Sequence, residues 1–89
     1  MSLPDVILYS RPGCSLCDEA RELVQAILVR RSEDGLPSAA LVERDIETDP
    51  AWQRAFFATI PIVEIEGRRL ALATSASKLQ RFIGEALGA

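Results

Sequence analysis

The chain has 89 residues, of which 48% are apolar and 26% charged, the balance of an ordinary globular protein rather than of a disordered tract. Its net charge is −3, and basic residues never run beyond a pair, Arg30-Arg31 or Arg68-Arg69, which argues against the strongly basic face that nucleic acid requires. Histidine is absent, so the commonest general base and the commonest metal ligand are both missing.

At this length one domain over residues 1–89 is expected, able to close a single modest core. No uninterrupted apolar run approaches the ~20 residues of a membrane span. Met1-Ser2-Leu3-Pro4-Asp5 lacks the pattern of a secretory signal. The expected compartment is therefore the cytoplasm, with no membrane partner. In that reducing setting a close cysteine pair is more often catalytic or metal-binding than a permanent bridge.

Val6-Ile7-Leu8-Tyr9 is a short apolar run between Pro4-Asp5 and Ser10-Arg11-Pro12-Gly13, which predicts a strand covered on both faces. The period then changes. Leu16, Ala20, Leu23, Val24, Ile27 and Leu28 recur at helical spacing and predict an amphipathic helix from Cys14 or Ser15 to Arg31. Asp18 and Glu19 at its head and Arg30-Arg31 at its tail suit the helix dipole. Residues 32–37 read as a loop, and Ala40–Asp45 as a second strand.

Asp49 can cap a short helix, with Pro50 at its first position and Trp52, Ala55 and Phe56 on its apolar face. Thr59-Ile60-Pro61 ends it. Ile62–Ile65 and Arg68–Leu72 are strands joined by Glu66-Gly67, a link short enough to force an antiparallel hairpin. Ser75 or Ser77 caps a last helix with Leu79, Phe82, Ile83, Ala86 and Leu87 on one side, ending near Gly88. A helix between strands one and two makes them parallel. The economical solution is an α/β fold: one mixed four-stranded sheet flanked by three helices. There is no internal repeat.

Both cysteines lie in Tyr9–Leu23, three positions apart. Cys14 falls at the strand-to-helix junction and Cys17 in the first helical turn. The first amides of a helix lack internal partners and carry the positive end of the dipole. A thiolate there is favoured over the thiol, and thiolate is the species that attacks a disulfide. Arg11 adds to that preference, while Asp18 and Glu19 oppose it. On this reading Cys14 is the nucleophile and Cys17, one turn on, resolves the mixed disulfide. Two alternatives stay open: a pair of small core residues, and a metal or iron–sulfur site shared by two chains, since one chain supplies only two thiolates. Glu43 and Asp45 are candidate proton acceptors for Cys17, with a solvated strand end as the simpler reading. Thr74–Ser77 could hold an anion at a helix start, but more often such a stretch is only a cap.

Tyr9-Ser10-Arg11-Pro12-Gly13-Cys14-Ser15-Leu16-Cys17-Asp18-Glu19-Ala20 resembles the active-site stretch of glutaredoxin-like proteins of the thioredoxin superfamily, closest to small bacterial members with a C-x-L-C-D motif. Thr59-Ile60-Pro61 is similar to that family's threonine-valine-proline segment. The resemblance implies a thioredoxin/glutaredoxin-like fold with Cys14 and Cys17 catalytic. Pro61 would be a cis proline opposite Cys14, with the backbone before it free to pair with an extended thiol substrate. Arg11, Pro12, Gly13, Ser15, Leu16, Ile60 and Pro61 would line the substrate site.

The chain departs from the family at the Gly-Gly pair that holds a glutathione carboxylate, where it has Ala71-Leu72, at the lysine ahead of the active site, where Arg11 supplies charge, and between the cysteines, where Ser15-Leu16 replaces Pro-Tyr. The expected activity is thiol–disulfide exchange on protein or small-molecule disulfides by a monomer. It needs no bound cofactor and no metal, and glutathione or a reductase would return the electrons. A thioredoxin-like module that binds proteins without turnover, or a dimeric metal carrier, are the other classes.

Overall fold

In a computed structural model, residues 3–88 are described. Four strands and three helices follow one another as β1 (Asp5–Ser10), α1 (Ser15–Glu33), β2 (Ala40–Asp45), α2 (Pro50–Phe56), β3 (Ile62–Ile65), β4 (Arg68–Leu70) and α3 (Ala76–Leu87). The strands form one sheet in the order β2-β1-β3-β4. β1 runs parallel to β2, with Tyr9 opposite Arg44, and antiparallel to β3, with Tyr9 opposite Ile62. β3 and β4 form the expected hairpin. The mixed four-stranded sheet with three helices is the architecture read from the element order.

Alternation along β1 divides the interior in two. Val6 and Leu8 meet α1 and α3 in a cluster with Val24, Ile65, Leu79 and Ile83, each at 0% exposure. Truncating one of the larger members to alanine costs about 2–5 kcal/mol. Ile7 and Tyr9 face the other way, toward Ile46, Ile60, Ile62, Trp52 and Phe56 under α2. The short helix therefore covers a second, smaller core, and the cysteines belong to it.

Several boundaries differ from expectation for identifiable reasons. The buried stripe of α1 is Cys17, Ala20, Val24 and Leu28; it begins at Cys17, and Leu16 points outward at 48% exposure. A single 3₁₀ turn, Ile46–Thr48, follows β2 because the Asp45 carboxylate accepts the Glu47 amide and caps it. The start of α2 is as expected: Asp49 caps it through the Ala51 amide, with Pro50 at the first position. Ser75, rather than Ser77, caps α3 by accepting the Lys78 amide. β4 stops at Leu70 instead of Leu72. Leu72 takes a left-handed φ of 50°, and the next amides turn inward: Leu72 donates to Thr59 O at 3.0 Å and Ala73 to Pro61 O at 2.8 Å.

Candidate active site

Residues 11–14 join the end of β1 to the start of α1. Gly13 adopts a φ of +76°, a region glycine enters without steric cost, and this turn delivers Cys14 to the helix start. Cys14 is the N-cap of α1, with extended backbone. Its carbonyl accepts the Asp18 amide at 3.1 Å. Its sulfur accepts the Cys17 amide at 3.2 Å, taking the place usually filled by a serine, threonine or aspartate oxygen. One of the orphan donors of the helix is thus aimed at sulfur. The two sulfurs are joined as a disulfide, with Cα atoms 5.2 Å apart.

The two cysteines have unlike surroundings. Cys17 is fully buried, packed with Tyr9, Ile46, Ile60 and Ile62, whereas Cys14 is partly exposed at the edge of that cluster. The reading of both as small core residues thus fits Cys17 alone. Arg11, Pro12, Gly13, Ser15 and Leu16 are all exposed around Cys14.

The Ile60–Pro61 peptide is cis. Pro61 is buried, and Ile60 packs in the cysteine cluster. The backbone ahead of Pro61 is less free than expected. The Ile60 N–H donates to Phe56 O at 3.2 Å, and Thr59 O is engaged by Leu72. Leu72 is 56% exposed, an apolar side chain on a left-handed backbone beside this loop.

The aromatic side chains of α2 form a platform with β1. Tyr9 lies 4.7 Å from Phe56 and 5.7 Å from Trp52 between ring centroids. Arg44 stacks over Trp52 at 5.5 Å and Arg69 over Phe56 at 5.1 Å, contacts favoured by the ring quadrupole. The apolar stripe of Trp52 and Phe56 is thus half core and half a seat for two guanidinium groups.

Glu43 is exposed, as expected of a strand end, but it is paired there. Its carboxylate accepts the Ser10 hydroxyl at 2.7 Å and both Arg21 Nε, at 2.7 Å, and Arg21 Nη2, at 2.5 Å. Arg21 Nη1 reaches Asp18 at 3.0 Å. The Arg21 hydrogen bonds hold the Glu43 carboxyl below its usual range and the Ser10 bond adds to this, with partial burial opposing them. These residues border a polar depression of about 270 Å³ behind the Pro12-Gly13 turn. In the sequence, Ser10 and Arg21 are marked only as a serine ending an apolar strand and an arginine three residues after Asp18. Among the described residues, no group of three or more His, Cys, Asp and Glu side chains is gathered that could hold a metal ion. No helix among them is long and apolar enough to cross a membrane.

A parallel–antiparallel sheet of this order, with a cysteine pair at the head of the first helix and a cis proline on a neighbouring loop, defines a thioredoxin-like protein. Residues 5–86 match the family described as Glutaredoxin-like domain (DUF836), and the chain belongs to that family. It is similar to the target protein XcR50 from X. campestris. The X-ray structure of XcR50 superposes with a TM-score of 0.74 at 27% identity, over 91% of this chain and 97% of the other. The solution structure gives a TM-score of 0.71 at 26% identity, over 94% and 97%. No curated protein matches the chain.

Proposed function

We propose that the chain is a thiol–disulfide oxidoreductase working through Cys14 and Cys17. The supporting observation is the cap itself. An exposed-side sulfur receives a helix amide and lies in bonding range of a buried partner sulfur. A thiolate at Cys14 gains from that amide and from the helix dipole.

In the reduced protein, the Cys14 thiolate attacks one sulfur of a substrate disulfide. A bond forms from Cys14 to that sulfur, and the other substrate sulfur leaves as thiolate. Cys17 then loses its proton and attacks the Cys14 sulfur, which releases the second substrate thiolate and closes the Cys14–Cys17 disulfide. Two electrons pass to the substrate, and two protons complete its thiols. Cycling needs a thiol reductant, either glutathione or a dithiol reductase. The substrates are protein or small-molecule disulfides, reached over Arg11, Pro12, Gly13, Ser15 and Leu16 on one side and Ile60-Pro61 on the other.

Two variants test this. Cys14→Ser is expected to abolish reduction of insulin or of a model mixed disulfide; retention of the wild-type rate overturns the assignment. Cys17→Ser is expected to accumulate a mixed disulfide on Cys14, seen as added mass that dithiothreitol removes.

A further inference from the structure

Only four residues separate Ser10 from Ser15, so the loop has little freedom of its own. The place of Cys14 is set by whatever fixes the end of β1 relative to the head of α1. One carboxylate joins them. Glu43, on β2, accepts the Ser10 hydroxyl at 2.7 Å and the forked guanidinium of Arg21, from the second turn of α1, at 2.7 and 2.5 Å. The remaining arm of Arg21 holds Asp18 at 3.0 Å, and the Asp18 amide is bonded to the Cys14 carbonyl. Bidentate pairing of this kind carries geometry as well as charge.

The charge matters for the sulfur. Asp18 and Glu43 are two anions set around the helix start that Cys14 caps. Left uncompensated, each disfavours a second negative charge on sulfur. Arg21 engages both at once. The other ionisable groups around the junction are the buried Cys17 thiol and Glu19 on α1, Arg11 on the loop, Tyr9 on β1, and Arg44 and Asp45 at the end of β2; residues 59–61, whose Ile60 packs in the cysteine cluster, carry none.

We propose that Arg21 is the positioning residue for Cys14: its fork ties α1 to β1 through Glu43 and offsets the carboxylates of Glu43 and Asp18 around the helix start that Cys14 caps. This rests on the exchange reading above, and the test separates the two. The readout is the pH midpoint of Cys14 alkylation by iodoacetamide in the reduced full chain, followed by peptide mass.

Arg21→Gln is expected to raise that midpoint and slow alkylation at pH 7 about three- to tenfold. Adding Asp18→Asn is expected to recover most of the loss. Arg21→Lys keeps the charge but cannot fork across both acids, and is expected to shift the same way by less; as the milder change it serves if the glutamine variant does not fold. An Arg21→Gln or Arg21→Lys midpoint equal to wild type, or no recovery on adding Asp18→Asn, overturns the proposal. Retention of the wild-type disulfide-reduction rate by Cys14→Ser overturns the exchange reading itself, whatever the Arg21 variants do to the midpoint.

Discussion

The Cys17 amide donates to the Cys14 sulfur at 3.2 Å, while the Cys17 side chain is fully buried. The same turn of helix thus supports one sulfur and hides the other. In the fully reduced protein at pH 7, iodoacetamide is expected to modify Cys14 first. Cys17 should stay unmodified until denaturant is added. Peptide mass mapping after a short pulse checks this, and equal labelling of the two would contradict the burial described here.

Gly67 lies at φ 84° and Glu66 at φ 49°, the pair of positive angles that marks a type I′ hairpin turn. A β-carbon on Gly67 would meet nothing within 4 Å, so substitution there tests backbone conformation alone. Gly67→Ala is expected to cost about 1 kcal/mol, measured by urea unfolding. Glu66→Asn, which suits the turn better, is expected to raise stability by a few tenths of that.

Arg31 fastens the two ends of the longer helices. It donates to Pro37 O at 2.7 Å and to Gly88 O, linking the tail of α1 to the loop before β2 and to the end of α3. Arg31→Ala is expected to cost about 1–2 kcal/mol, since it removes two hydrogen bonds from a charged donor. In a chain of this size each kcal/mol lowers the melting midpoint by about 4–8 °C. Arg31→Lys should recover part of the loss. Thermal unfolding at fixed pH decides the point.

Glu43 gives the fold an acid-sensitive joint. Its carboxyl is held below the ordinary value of 4.5, chiefly by the Arg21 hydrogen bonds. A depressed carboxyl contributes stability that is fully present above its unfolded value and lost as pH falls through its folded value. The side chain is 35% exposed, so solvent screening limits the contribution to about 1 kcal/mol or less. Glu43→Gln is expected to be less stable than wild type at pH 7, with the gap closing as pH falls below 4.5. Chemical denaturation at a series of pH values measures it.

Local signals in the sequence carried the elements well. The change from an apolar run to a helical period located β1 and α1, Asp49-Pro50 marked the start of α2, and Glu66-Gly67 marked the hairpin. The cysteine pair was legible for the same reason, since its setting is made by neighbours in the chain. Contacts between distant positions were not. Nothing local says that β3 lies against β1 in the middle of the sheet, because that depends on both faces being covered at once. The Glu43 bonds to Ser10 and Arg21 span 33 and 22 positions, so Glu43 reads as an ordinary polar residue on a strand. Leu72 misled through its apolar character, which extends β4 on paper. Its amide and that of Ala73 are drawn instead to the loop around Pro61.

That diversion has a consequence for self-association. A sheet can recruit another chain wherever a border strand leaves its donors and acceptors facing water. β4 offers only three residues, two of them arginine, before its backbone bends back into the molecule. β2, at the opposite border, is six residues long. A foreign strand has almost no ladder to climb on the Arg68–Leu70 side, so growth of the sheet by a second copy would have to begin at Ala40–Asp45.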